Sequence, residues 1–218
     1  VRAAQRLRLT CRDEVAAAFE RLRTSGLAYR KETIYVVSDQ QTFHETSEFL
    51  PPDRMRQITT NGVPSYGTVE TVRVGPRAWS NERASPYVKE EWHEWEPGLA
   101  EEIYSAGMDF SARPDRAVPV DTAFECLGRV ELKGKVHIGY RTRLANAVTT
   151  VGPVSEKDEQ ELLSRLRQMP QHWRTVLLDW PSMLPAYDIV AQESQLDNPR
   201  SSEHYTYPDD IKIEPPLQ

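Results

Sequence analysis

The spacing of apolar positions changes twice along the chain, and each change marks a change of element. In TCRDEVAAAFERLRTS (10 to 25), Cys11, Val15, Phe19 and Leu22 fall at i, i+4, i+8 and i+11, one face of a helix. Thr10 is placed to cap that helix, Asp13 and Glu14 suit its first turn, and Gly26 its end. From residue 28 the period drops to two. AYRKETIYVVSD (28 to 39), QTFHETSEFL (41 to 50), DRMRQITT (53 to 60) and TVETVRVG (68 to 75) are short, rich in β-branched and aromatic residues, and broken by turn residues. Pro51-Pro52 ends one strand, because proline cannot donate to a ladder. Arg54 and Arg56 then point to one side of the next strand and Met55 to the other. This spacing predicts an antiparallel meander with one wet face and one face that is buried or lines a cavity.

The middle of the chain has a different texture. Residues 79 to 110 hold three of the five tryptophans. They read as a loop or short strand up to Trp95, then a short helix over 97 to 106. A proline-rich crossing follows, and strands resume at 123 to 132 and 135 to 145 around the tight turn Lys133-Gly134. Leu162, Leu163, Leu166 and Met169 predict a helix over 156 to 168, stopped by Pro170. Strands at 172 to 180 and 186 to 194 follow, and residues 205 to 216 end the chain extended. No repeat, low-complexity tract or clear linker divides these elements, so residues 1 to 218 read as one domain. The fold class is α+β: a large curved antiparallel sheet with helices packed against it.

Composition narrows the function more than it names it. A net charge of −6 argues against a general nucleic-acid binder, which needs a basic surface to displace counterions. No stretch approaches the roughly 18 to 20 apolar residues that span a bilayer. VRAAQRLRLT is basic, but no apolar run follows it, so it does not read as a signal peptide. With Val in first place, the chain reads as a processed or trimmed form. Cys11 and Cys126 have no CxxC or Cys/His company, which disfavours a zinc site. They read either as two buried thiols or, in an oxidising compartment, as one disulfide contributing on the order of 4 kcal/mol.

Catalytic signatures are missing from the sequence. There is no G-x-S-x-G, P-loop, G-x-G-x-x-G or H-E-x-x-H. His44, His93, His137, His172 and His204 are scattered, and no carboxylate pair is set apart by an apolar context. Arg54, Arg56, Arg73 and Arg77 form either an anion-binding strip or, more simply, cross-strand pairs with Glu45, Glu48 and Glu70. Trp79, Trp92 and Trp95 suit the mouth of a lipophilic cavity, each with an apolar body and one donor, or ordinary core packing.

YRKETIYVV, EFLPPDRMR, VETVRVGPRAW, the tryptophan-rich segment, WRTVLLDWPSMLPAYDIV and YTYPDDIKIEPP together resemble the periplasmic lipoprotein-carrier superfamily. That group includes LolA-like carriers, mycobacterial lipid carriers and RseB-like regulators. The resemblance covers most of residues 10 to 216. It implies an unclosed barrel, an extracytoplasmic location and a non-enzymatic role without cofactor or metal. The implied ligand is a lipid or the acyl group of a lipoprotein; an envelope protein is the implied alternative partner. Met55, Ile58, Val72, Val74, Trp79, Trp92, Trp95 and Ile103 are the expected ligand-lining residues. The helix at 10 to 25 and the segment at 97 to 106 are the expected lid. A sensor or protein-interaction domain of the same fold, and a helix-grip cavity enzyme with a long final helix, are the competing readings.

Overall fold

The computed structural model describes residues 2–38, 41–61, 67–83, 91–96, 98, 99, 101, 124–144, 171–192, 196 and 198–216. The helix expected at 156 to 168 and the proline-rich crossing lie outside them, as does most of the segment 97 to 106, of which Leu99 and Glu101 are helical.

Among the described residues, eleven strands form a single antiparallel sheet. They are β1 (Tyr29–Ser38), β2 (Gln41–Leu50), β3 (Arg54–Asn61), β4 (Thr68–Val74), β5 (Arg77–Arg83) and β6 (His93–Glu94). After them come β7 (Glu125–Leu132), β8 (Lys135–Arg143), β9 (His172–Asp179), β10 (Pro185–Gln192) and β11 (Ser201–Thr206). The spatial order β6-β5-β4-β3-β2-β1-β11-β10-β9-β8-β7 is two meanders joined where the first strand pairs with the last. β6 and β7 end the sheet without pairing with each other, so the half-barrel is unclosed. Turn chemistry sets these boundaries. Pro51 and Pro52 separate β2 from β3, and Lys133 (φ 51°) with Gly134 (φ 76°) makes the two-residue β7–β8 hairpin, whose geometry requires positive φ at both positions.

One helix, α1 (Arg2–Thr24), crosses the inner face. It begins eight residues before the expected start, and Thr10 lies inside it rather than at its cap. The reason is local: Arg, Ala, Gln and Leu in RAAQRLRL are strong helix formers, so nothing stops the helix at Thr10. It ends at the expected place, with Gly26 in the left-handed region (φ 69°) just beyond it. Its buried stripe is Cys11, Val15, Ala18 and Leu22, with Phe19 beside it. Toward β7, β8 and β9 the stripe meets Phe124, Tyr140, Val176 and Leu178. At its other end Leu22 meets Tyr29, Phe49, Met55 and Tyr205. Each such side chain, taken fully out of water, contributes about 1.5–3 kcal/mol. Cys11 is bonded to Cys126 of β7, with 5.5 Å between their Cα atoms, so the helix is stapled to the sheet edge.

The outer face is covered differently. After a turn at Asp209-Asp210, residues 211–216 run across it, and Ile211 and Ile213 pack on Val72 and Trp79, with Leu50, Val74 and Trp92 around them. Arg54 donates to the Ile213 carbonyl at 3.0 Å and holds the tail down.

Candidate ligand-binding face

Strand pairing fixes which residues share the inner face, because directly opposed residues point the same way. Under α1 this face is apolar and filled. One register step away it changes character. Lys31 on β1, Glu203 on β11, Asp188 on β10 and Arg174 on β9 form a diagonal of charged residues, each at least 92% removed from solvent. Asp188 and Glu203 are directly opposed. Two carboxylates in that relation repel, and a cation beside each offsets the repulsion. Arg174 donates to both oxygens of Asp188, at 2.8 to 3.2 Å, and Lys31 Nζ lies 3.6 Å from Glu203. The Tyr205 hydroxyl also donates to Glu203. Removing one partner from such a buried pair leaves an uncompensated charge, which costs about 3–5 kcal/mol.

Thr33 and Ser201 continue the polar zone along the β1–β11 seam. Farther out, Trp95 donates its indole N–H to Ser80 of β5 at 2.7 Å, and Arg73 of β4 donates to Glu101 at 2.5 Å. Those two contacts hold Trp95 and Glu101 over the inner face of β4 and β5.

The expected ligand-lining residues are split between the faces. Met55 is on the inner face, buried under Leu22 of α1, and Trp95 reaches the same face through Ser80. Val72, Val74, Trp79 and Trp92 lie on the outer face beneath the C-terminal tail. Ile58 is also on the outer face, beside Arg30, Glu32, Thr46, Glu48 and Arg56 in an open recess of about 170 Å³. Ile103 lies outside the described residues. The arginines are mostly paired as cross-strand reasoning expects, with partners partly different from those named. Arg56 meets Glu70, Arg30 meets Glu48, and Arg77 meets Glu94, at 2.8, 2.7 and 2.6 Å.

The buried charges were missed in sequence reasoning, although two of them leave a mark. Arg174 interrupts the apolar run of WRTVLL, and Asp188 that of YDIVA. A lone charge inside a run that must be buried on both faces needs a partner, and these two are each other's.

The outer face carries a second titratable group of residues. Tyr187 stacks on His204 at 4.5 Å and meets His137 edge-on at 5.6 Å. Burial pushes His137 below the usual histidine range, and the nearby Lys135 and His204 act the same way. Asp179, 3.3 Å from His137 Nδ1, opposes the shift without reversing it.

No family model and no curated protein sequence matches the chain. Solved structures do match. The chain aligns with LprF from Mycobacterium bovis at 9% identity, over 96% of this chain and 98% of that one, with a TM-score of 0.51. The chain has the LolA-like fold. Lipoprotein LppX from Mycobacterium tuberculosis aligns at 10% identity over 94% and 98% of the two chains, with a TM-score of 0.46. The MucA/MucB complex from Pseudomonas aeruginosa aligns at 11% identity and a TM-score of 0.40, over 91% of this chain and 56% of that one. A long helix closing a helix-grip fold is absent from the described residues after 190, where the chain forms β11 and then runs extended. No helix among the described residues is long and apolar enough to cross a membrane.

Proposed function

We propose that this LolA-like domain is a non-enzymatic, extracytoplasmic binding protein. Its ligand is a lipid or the acyl group of a lipoprotein, held between the inner face of the half-barrel and the layer above it. The observation that carries this reading is the unclosed eleven-stranded sheet with α1 stapled across one end of its inner face. α1 fills the apolar strip beneath it, and the disulfide limits its swing at the β7 end. The ligand is therefore placed beyond α1, over the inner face of β1–β5, bordered by Trp95, Arg73 and the β1–β11 seam. Any lid movement falls to the segment that begins at Trp95, and the tryptophans under the C-terminal tail serve the outer core. The disulfide also supports an oxidising, extracytoplasmic compartment.

A second reading, a protein-recognition domain of the same fold, is favoured by one feature. Trp180, in the β9–β10 turn, is 67% exposed, and an exposed tryptophan is a common anchor for a partner protein.

Native mass spectrometry of the protein from an envelope-containing host, followed by organic extraction, separates the two. Acyl lipid in near one-to-one amount supports the binding protein. A clean apo mass that takes up neither added monoacylglycerol nor lipopeptide overturns it in favour of the protein-recognition reading.

A further inference from the structure

Two buried hydroxyls without acceptors lie beside a buried ammonium on the inner face of the β1–β11 seam. Thr33 lies directly opposite Glu203, Lys31 is two residues along β1, and Ser201 opposes Tyr35 on the other side. Lys31, Thr33 and Ser201 therefore share one face within two register steps of each other. They are 5%, 4% and 1% exposed. Thr33 Oγ1 and Ser201 Oγ have no hydrogen-bond partner among the described residues. The Lys31 ammonium lies 3.6 Å from Glu203, beyond the roughly 2.7–2.9 Å of a charge-assisted hydrogen bond. A hydroxyl offers one donor and an ammonium three, and leaving such groups buried without acceptors is costly.

We propose that this patch is a polar subsite for a neutral carbonyl, the ester or amide carbonyl of the bound amphiphile. The inference rests on the lipid-binding reading above and names the chemistry that the ligand brings to the same face. Charge decides between carbonyl and anion. Lys31 and Arg174 balance Glu203 and Asp188, and Arg174 is held by Asp188 through three contacts. An anionic headgroup would face two fixed carboxylates without a free cation to answer it. A neutral carbonyl accepts from the hydroxyls and the ammonium and leaves the balance intact. The surroundings suit a group joined to an apolar chain. Tyr205 opposes Lys31, and Val190 opposes Ser201, so apolar side chains border the patch on both sides.

The test uses two probes that differ by one oxygen. A 1-monoacylglycerol and the 1-O-alkylglycerol of equal chain length are titrated into the delipidated full chain. The ester is expected to bind roughly tenfold tighter than the ether, the size of one well-placed hydrogen bond. In the double variant Thr33→Val/Ser201→Ala the preference should shrink to about twofold. These changes remove hydroxyls that have no partner in the described fold, and a melting curve checks that the fold is kept. Lys31→Met combined with Glu203→Gln, which leaves no carboxylate without its cation, gives a second reading of the same preference. Equal binding of ester and ether by the wild type overturns the carbonyl subsite and leaves lipid binding standing. An ester preference that survives in both variants overturns the assignment to these residues. Tighter binding of a free fatty acid overturns the choice of a neutral group. Binding of neither glycerolipid overturns the lipid-binding reading and this inference with it.

Discussion

His137 shows how one buried side chain couples the fold to pH. It is 1% exposed on the outer face, between Tyr187 and the Asp179 carboxylate. Its folded-state pKa is depressed, chiefly by burial. Lys135 and His204 add to the depression; Glu32 lies against His204, and Lys133 lies over the Tyr187 ring. The unfolded chain therefore takes up the proton first as pH falls. The contribution of neutral His137 is whole above the unfolded value near 6.5 and is lost as pH drops through the folded value. His137→Phe keeps a ring against Tyr187 and removes the titration. The wild type is expected to lose melting temperature relative to this variant as pH falls from about 7.5 to 5. Parallel melting curves across that range would show that His137 does not contribute to the acid limb.

At the scale of elements, α1 has two independent anchors. One is the apolar stripe Cys11, Val15, Ala18 and Leu22, and the other is the bond from Cys11 to Cys126, which closes a sequence separation of 115 residues. A cross-link over so long a loop restricts the unfolded chain strongly, so Cys11→Ser/Cys126→Ser should lower unfolding free energy by about 4 kcal/mol. Urea titration of wild type and variant, each with and without reductant, checks this. Reductant should shift the wild type alone. Val15, Ala18 and Leu22 of the stripe remain in the variant, so far-UV circular dichroism should keep its native helix content.

At the scale of the molecule, the two faces of the sheet do different work. The outer face of β4 and β5 is closed by the C-terminal tail, with Ile213 2% exposed against Val72 and Trp79. Ile213→Ala should cost about 2–5 kcal/mol, the range for truncating a large buried aliphatic side chain. It should also shift tryptophan emission to the red as Trp79 loses its cover. Ligand affinity should not follow, because the proposed ligand lies on the opposite face. A parallel loss of affinity measured well below the unfolding transition would place the ligand on the outer face.

Local rules were enough for most elements. Alternating residues and turn chemistry located β1 to β4 and β7 to β10, because period two and proline or glycine punctuation act within a few residues of each other. β5 and β6 fall where a loop or short strand was expected, and β11 (Ser201–Thr206) begins before the extended stretch expected at 205 to 216. The resemblance in YRKETIYVV through YTYPDDIKIEPP also named the fold. Two things needed the assembled sheet. The pairing of β1 with β11 joins residues some 170 positions apart, and it alone brings Lys31 and Thr33 beside Ser201 and Glu203. Which face each apolar strand position serves was likewise settled by tertiary contact. Val72 and Met55 are equally apolar in sequence, yet one meets Ile211 and Ile213 of the tail and the other meets Leu22 of α1. Periodicity separates the two faces of a strand, but only the element that packs on each face decides whether it becomes core or binding surface.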